Sequence, residues 1–166
     1  GFMGAFRRSE IVSLTVEDIQ KFPQGIVLHI QRSKTDQRGE GQQVGIPYLK
    51  NVPEEMDGVR ALYDWLKAAG IHEGPLFRKI LKSGKVASTH LSENTVNLLV
   101  KKYAEMIGLD PTLYGAHSLR HGFATYAALH GIEERLIMKQ TRHKSVEMVR
   151  RYINEADVFT NNPLSK

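Results

Sequence analysis

A tyrosine near the end of the chain stands among basic residues that suit chemistry at a phosphate group. Residues 141–152, TRHKSVEMVRRY, place Tyr152 nine positions after His143 in a basic stretch with helical character. Further cationic and imidazole groups lie far upstream, at Arg7, Lys34, His117, Arg120 and His121. These residue types predict a phosphate site that needs no metal and uses the Tyr152 phenol as its nucleophile.

Two arginines are candidates for holding the phosphate. Phosphodiester transfer puts extra negative charge on the non-bridging oxygens, and preorganised cations stabilise that charge. Arginine suits this task because its planar guanidinium binds a phosphate through two N–H groups and stays protonated. Arg120 shares a helical face with His117, three residues earlier, although such a face can also be ordinary surface. For the second arginine, the residues alone do not decide between Arg7 and Arg8.

His117 and His121 also have the i, i+4 spacing of a metal-binding helix. The glutamate that follows the first histidine in metalloprotease zinc motifs is absent here, because Ser118 occupies that position. The chain also contains no cysteine that could complete a zinc site. The sequence therefore predicts neither a metal nor another cofactor.

Composition limits the class of protein. The chain has 166 residues and is 41% hydrophobic, which is enough for one globular domain with a core. The net charge of +5 favours a polyanionic partner. No apolar run approaches the roughly 20 residues that cross a bilayer, and the first residues, GFMGAFRRSE, lack a signal-peptide pattern. With no disulfide possible, we expect a cytoplasmic protein.

The elements that must position these residues follow from hydrophobic periodicity. A short helix is predicted over residues 3–14, and extended segments are predicted at 15–19, 25–30 and 43–47. Residues 33–41 are polar and contain glycine, so they predict a hairpin loop that carries Lys34. Together these segments predict a small antiparallel sheet of three strands early in the chain.

The rest of the chain predicts helices. One helix has Val59, Leu62, Tyr63, Leu66 and Ala69 on its apolar face and ends at Gly70. After a connection over residues 72–88, Ser92 caps a second helix, whose predicted apolar face is Val96, Leu99, Val100, Tyr103 and Ile107. Three shorter helices are predicted over residues 117–130, 133–140 and 145–154. We therefore predict a mostly helical α+β fold.

Four segments, in this order, resemble the signature boxes of the tyrosine recombinases, the phage-integrase-like enzymes. They are AFRRSEI around Arg7, RSKT around Lys34, HSLRHGFAT from His117, and RHKS from Arg142 followed by RRYI around Tyr152. The resemblance implies a catalytic domain over residues 1–154 and a tail over 155–166. It also implies a pocket formed by Arg7, Lys34, His117, Arg120, His143 and Tyr152, with Glu10 and His121 as supporting residues.

The resemblance also implies a mechanism. Tyr152 would attack the phosphorus of double-stranded DNA, giving a 3′-phosphotyrosyl link and a free 5′-hydroxyl. A tyrosine has a pKa of about 10, so His117 would accept the proton or orient the phenol. Lys34 would protonate the leaving oxygen, since the pKa of lysine can be lowered enough for it to lose a proton. Possible contacts to the DNA backbone are Arg32, Arg38, Lys144, Arg150 and Arg151.

The chain departs from the family pattern in two places. Arg142 precedes His143 where the family commonly has glycine, which adds charge near the phosphate and removes a flexible turn residue. Only six residues precede Arg7, so the leading helix and the N-terminal core-binding domain are expected to be missing. We expect a monomer or weak dimer in isolation and a tetramer on DNA. Two alternatives stay open: a non-catalytic DNA-binding remnant, and strand relaxation like that of type IB topoisomerases.

Overall fold

The computed structural model describes residues 1–31, 41–143 and 145–157 of the chain, and only the backbone of residues 153–157. The described chain forms two compact units. One unit comprises Arg8–Val96, and the other combines Gly1–Arg7 with Asn97–Lys166. None of the described helices is both long and apolar enough to cross a bilayer.

The predicted three-stranded antiparallel sheet is confirmed in the unit Arg8–Val96. Its strands are β1 (Ile19–Phe22), β2 (Gly25–Ile30) and β3 (Gln42–Pro47), with β2 in the centre. Side chains of β2 alternate between the two faces of the sheet. Ile26, Leu28 and Ile30 are accordingly buried, while Val27 and His29 between them are only partly buried.

The first predicted strand was placed too early. Residues 15–19 were expected to be extended, but Val16–Asp18 form a 3₁₀ turn and β1 starts at Ile19. The Asp18 carboxylate accepts hydrogen bonds from the backbone N–H and the hydroxyl of Thr15, at 2.8 and 3.0 Å. This capping arrangement stabilises the tight turn over an extended chain. The predicted loop with Lys34, Arg32 and Arg38 lies outside the described residues.

Helix α2 (Gly58–Ala69) confirms the predicted helix and its end. Asp57 caps its N-terminus by accepting from the N–H groups of Val59 and Arg60, at 2.8 and 3.1 Å. At the other end Gly70 adopts the left-handed conformation, with φ of 61°, which glycine allows at little cost. Val59 and Leu66 are buried, as the apolar face requires.

A second, two-stranded antiparallel sheet was not predicted. The connection expected over residues 72–88 contains β4 (Arg78–Ile80) and the start of β5 (Val86–His90), which pairs with β4. Lysines and arginine interrupt any apolar alternation in this segment, and its tip turns at Gly84, which has φ of 80°. The two strands are joined by backbone hydrogen bonds, and such bonds do not require the alternation of apolar and polar side chains from which strands are predicted.

Most of the second unit consists of the helices that follow. Helix α3 (Glu93–Met106) starts in the first unit and continues into the second, where it is followed by α4 (Ala116–Leu129), α5 (Glu134–Thr141) and α6 (Val146–Asp157). Ala124, Ala127, Ile137 and Val149 form the core between α4, α5 and α6. The three short predicted helices are thus confirmed. The last one continues to Asp157, beyond the predicted start of the tail at residue 155.

Two predictions about helices were only partly correct. The first helix, α1, covers only Arg8–Ser13, because Ala5 has a positive φ of 46° and turns the chain before it. In α3 the predicted apolar face is buried at its start, at Val96, but exposed further along: Leu99 and Tyr103 are 40% and 60% exposed, and Ile107 lies beyond the end of the helix. The small Ala104 is buried instead, so the face that packs is rotated from the one with the largest apolar side chains.

A substitution at Gly25 tests the pairing of β2 with β3 in the three-stranded sheet. Gly25 has φ of 154°, and a Cβ there would collide with the carbonyl oxygen of Ile46 and lie 2.7 Å from Pro47 Cα. We expect Gly25→Ala to lower the free energy of unfolding by about 2–3 kcal/mol, through strain and displaced backbone. Gly45→Ala is the matched control, because nothing lies within 4 Å of its Cβ position. Urea unfolding followed by fluorescence of Trp65, in the same unit, measures both. Equal stability of the two variants would contradict the prediction.

Candidate functional site

A buried turn at the start of the chain carries Arg7. Gly4, Ala5 and Phe6 are buried, and the Ala5 N–H donates to the Phe2 carbonyl at 2.8 Å. Gly4 has to be small, because a Cβ there would collide with the Phe6 ring. Arg7 follows this turn and is itself partly buried. The turn belongs to the same compact unit as α4, α5 and α6.

Arg120 lies on α4 and is 2% exposed. Its Nη1 donates to the carbonyl oxygen of Ala5 at 2.8 Å, so it contacts the turn that precedes Arg7. The N-terminus of α4 is held by two side chains: Asn97 Oδ1 accepts from the Ala116 N–H, and Ser118 Oγ accepts from the Gly115 N–H, both at 3.0 Å. The predicted arginine is therefore buried on a helix whose start is well anchored.

His143 follows α5 and is 7% exposed. Its Nδ1 lies 2.8 Å from the hydroxyl oxygen of Thr141. That hydroxyl donates its only hydrogen to the Ile137 carbonyl at 2.7 Å, so Nδ1 of His143 must be the donor of the second bond. Thr141 thus sets the neutral imidazole with its proton on Nδ1 and leaves Nε2 without one.

Both pocket histidines favour the neutral form. Burial, followed by the charges of Arg120, Arg7, Arg142 and His117, lowers the pKa of His143 to about 4. The pKa of His117 is lowered by burial and then by Arg120, His121 and Arg7. Both imidazoles therefore lie within electrostatic range of the Arg7 and Arg120 guanidinium groups. A neutral His117 is able to accept a proton at neutral pH.

The lowered pKa of His143 predicts how the stability of the fold depends on pH. Between about pH 4 and about pH 6.5, the unfolded chain binds a proton at this residue that the folded chain does not bind. The stability contributed by neutral His143 is therefore complete above the unfolded pKa and is lost as the pH falls through this window. On going from about pH 7 to about pH 5, we expect the urea midpoint of the wild type to fall more than the urea midpoint of His143→Gln. A difference that does not change with pH would contradict this.

Tyr152 lies on α6 beside two imidazole rings. Its ring centroid is 4.7 Å from that of His121, with a tilt of 54°, and 5.6 Å from that of His143, with a tilt of 28°. The ring is partly buried and packs against the core of α4, α5 and α6, in which Val149 is one helical turn before it. This core packing and the imidazole contacts together position the phenol.

The structure thus brings together five of the six predicted pocket residues: Arg7, His117, Arg120, His143 and Tyr152. The sixth, Lys34, lies outside the described residues, as do Arg32, Arg38 and Lys144. Glu10 is buried on α1, in the other unit. Arg151 is exposed, and Arg150 donates to the Glu134 carboxylate at 3.1 Å. Within the described ranges, no three His, Asp or Glu side chains are grouped as ligands of one metal ion.

Two contacts at the end of α5 were missed from the sequence. Thr141 orients His143, and Gln140 Nε2 donates to the Met3 carbonyl at 2.9 Å. Arg142 was predicted to stand in place of a flexible residue, and its backbone is left-handed, with φ of 58° and ψ of 38°. This conformation costs a residue with a Cβ about 1–2 kcal/mol. The position of Thr141 two residues before a pocket histidine was the only local signal for its role.

Comparison with known proteins gives a consistent assignment. The sequence pattern described as Phage integrase family matches residues 2–158. The chain is 49% identical over 166 residues to an integrase/recombinase xerD homolog of Selenomonas ruminantium, covering 100% of this chain and 48% of that protein. It is 35% identical over 152 residues to a tyrosine recombinase of Synechococcus elongatus, covering 89% of this chain and 42% of that protein.

Solved structures show the same fold. The XerH site-specific recombinase bound to a palindromic difH substrate, in a post-cleavage complex, has a TM-score of 0.69 at 20% identity, covering 97% of this chain and 43% of that one. The XerA recombinase has a TM-score of 0.66 at 18% identity, covering 97% of this chain and 55% of that one. The chain thus spans about half the length of the relatives that it matches.

Proposed function

We propose that this chain, which belongs to the phage integrase family of tyrosine recombinases, cuts and rejoins DNA strands through a covalent link to Tyr152. The observation that carries this proposal is the grouping of Arg7, Arg120, His117 and His143 with a tyrosine in one compact unit. Two guanidinium groups can neutralise the charge that develops on the non-bridging oxygens during phosphoryl transfer. The phenol supplies an oxygen nucleophile, and neutral His117 supplies a proton acceptor.

In the first step the Tyr152 oxygen attacks phosphorus and its proton passes to His117. The bond from phosphorus to the 5′-oxygen breaks, which leaves a 3′-phosphotyrosyl link and a 5′-oxygen that takes a proton from Lys34. The phosphodiester energy is kept in the new ester. Attack by a 5′-hydroxyl reverses the step and reseals the strand, so the balance of bonds requires no nucleotide and no metal.

The state of His143 should change when a phosphate binds. Thr141 holds the proton of the neutral ring on Nδ1, so Nε2 can donate to a phosphate oxygen only after the ring gains a second proton. Without a bound phosphate, the positive charges of Arg120, Arg7 and Arg142 oppose the uptake of a second proton by His143. A bound phosphate brings negative charge that offsets theirs and favours the imidazolium form. His143 would then become a third cationic contact when substrate is present.

The whole protein is proposed to contain more than this chain. Because the matched relatives are about twice as long, we propose a preceding core-binding domain that closes around double-stranded DNA. Residues 1–154 would form the catalytic domain and 155–166 a tail. We propose a tetramer on DNA and a monomer or weak dimer without it. Arg32, Arg38, Lys144, Arg150 and Arg151 are the proposed contacts to the DNA backbone.

Trapping of a covalent complex tests this function. The protein is incubated with duplexes taken from the DNA flanking its own gene, each nicked close to the cleavage position so that the short 5′-hydroxyl fragment diffuses away. We expect an adduct that survives denaturing electrophoresis, forms in EDTA without ATP, and maps to the peptide with Tyr152. A protein that binds these duplexes but forms no adduct is a DNA-binding remnant. Relaxation of plasmids without any recognition site would instead favour the topoisomerase activity.

A further inference from the structure

Three consecutive backbone carbonyls before Arg7 are held by side chains from elsewhere in the chain. Gln140 Nε2 donates to the Met3 carbonyl at 2.9 Å, and Arg142 Nη1 donates to the Gly4 carbonyl, also at 2.9 Å. The Ala5 carbonyl accepts from Arg142 Nη2 at 3.1 Å and from Arg120 Nη1 at 2.8 Å. The turn that carries Arg7 is therefore tied to the segment that carries His143.

Arg142 makes two of these four contacts, from an unusual backbone position. Its left-handed conformation, which glycine would adopt without strain, directs the side chain toward the turn. The guanidinium also donates to the Gln140 carbonyl at 2.7 Å and lies over the Phe6 ring, 5.1 Å from its centroid. A planar group with several N–H donors can make all these bonds at once, which the ammonium of lysine cannot do with the same geometry.

The residues of this segment alternate in their contacts. Gln140 and Arg142 hold the turn before Arg7, whereas Thr141 between them orients the ring of His143. One short stretch of chain therefore contacts both the turn before Arg7 and the ring of His143, two groups that the proposed function assigns to the same phosphate. Displacement of this stretch would move both groups together.

We infer that Arg142 is a positioning residue, which sets the Arg7 guanidinium against His143 by holding the carbonyls of Gly4 and Ala5. The inference rests on the proposed function, because it concerns the same phosphate site. The N–H groups of Arg142 bond to the carbonyls of Gly4 and Ala5, so its effect on position acts through Arg7. Correct placement of such a group matters, since a misplacement of about 1 Å can cost on the order of 100-fold in rate.

Arg142→Gly removes the guanidinium and keeps the left-handed backbone, so it separates the side chain from the turn geometry. In single-turnover trapping we expect adduct formation to slow by about 10- to 100-fold, with little change in DNA affinity. Hydrogen exchange of the peptide spanning residues 2–9, measured without DNA, should become faster. Arg60→Ala, which removes an exposed arginine in the other unit, is the control and should change neither reading.

A double-mutant cycle separates positioning from general damage. On an Arg7→Ala background, Arg142→Gly should slow trapping by less than about threefold, because the residue through which it acts is gone. On a substrate whose scissile phosphate is a neutral methylphosphonate, the defect of Arg142→Gly should also shrink, since less charge needs an arginine. A loss of folded protein would reduce the rate by the same factor in every background and on every substrate.

Either of two results would overturn the inference: unchanged hydrogen exchange of residues 2–9, or an equal effect of Arg142→Gly with and without Arg7. If Arg142→Gly does not fold, the trapping rate and the hydrogen exchange are measured on Arg142→Lys instead, because lysine keeps the charge but loses the planar guanidinium group. If the wild type forms no adduct at all, the proposed function fails, and the exchange measurement still decides whether Arg142 holds the turn.

Discussion

Tyr152→Phe abolishes covalent capture of DNA and leaves the fold and DNA affinity intact. Phenylalanine keeps the ring beside those of His121 and His143 and its packing on the core near Val149, so only the oxygen is lost. Without the nucleophile there is no second route to the phosphotyrosine, and we expect trapping to fall by at least about 10⁴-fold. Denaturing electrophoresis with labelled DNA measures the adduct, and a mobility shift measures binding.

Tyr103→Phe is the matched control for this result. Tyr103 lies on α3 and is 60% exposed, so its hydroxyl can be removed without disturbing the core or the pocket. Trapping by this variant should equal that of the wild type. An adduct that persists in Tyr152→Phe would place the nucleophile elsewhere and end the proposed mechanism.

Arg120→Ala gives the second large effect, on rate more than on stability. Removal of a preorganised donor to the developing charge costs about 10²- to 10³-fold, which corresponds to about 3–4 kcal/mol of transition-state stabilisation. The cost in folding is smaller, about 1–2 kcal/mol, because the Ala5 carbonyl keeps its bond from Arg142 and is not left without a partner. The variant should therefore fold, bind DNA and form adduct slowly.

Arg8→Ala provides the comparison for Arg120→Ala and also resolves an ambiguity of the sequence. Arg8 is exposed and donates to the Glu93 carboxylate at 2.9 Å, an ion pair of the kind that contributes little to stability. Its removal should leave trapping and the urea midpoint nearly unchanged. A loss of activity in Arg8→Ala as large as that in Arg120→Ala would mean that the clamp has been assigned to the wrong arginine.

The choice between Arg7 and Arg8 illustrates what sequence reasoning could and could not reach. Both residues have the same chemistry, so only the direction of the backbone separates them. Ala5 and Phe6 make a buried turn that leaves Arg7 near Arg120, whereas Arg8 begins α1 and points to solvent. That turn depends on contacts with residues more than 110 positions away, which no local pattern encodes.

Elements with strong periodicity were predictable for a physical reason. Helices α4, α5 and α6 bury small and branched side chains such as Ala124 and Ile137 at helical spacing, and β2 alternates as a half-buried strand does. The β4–β5 hairpin and the packed face of α3 were not predictable in this way. The β4–β5 hairpin is a pair of short strands, one basic and one small and polar, which are joined by backbone hydrogen bonds. The packed face of α3 depends on Ala104, whose side chain is too small to dominate a periodicity.

The position of the Tyr152 ring has a practical consequence for labelling. Reagents that nitrate or iodinate phenols attack the carbons next to the hydroxyl, and they need open access to the ring. Tyr103 is 60% exposed, whereas the ring of Tyr152 is partly buried, with the imidazole centroids of His121 and His143 at 4.7 and 5.6 Å from its own. Mild nitration will therefore mark Tyr103 before it reaches the phenol of Tyr152.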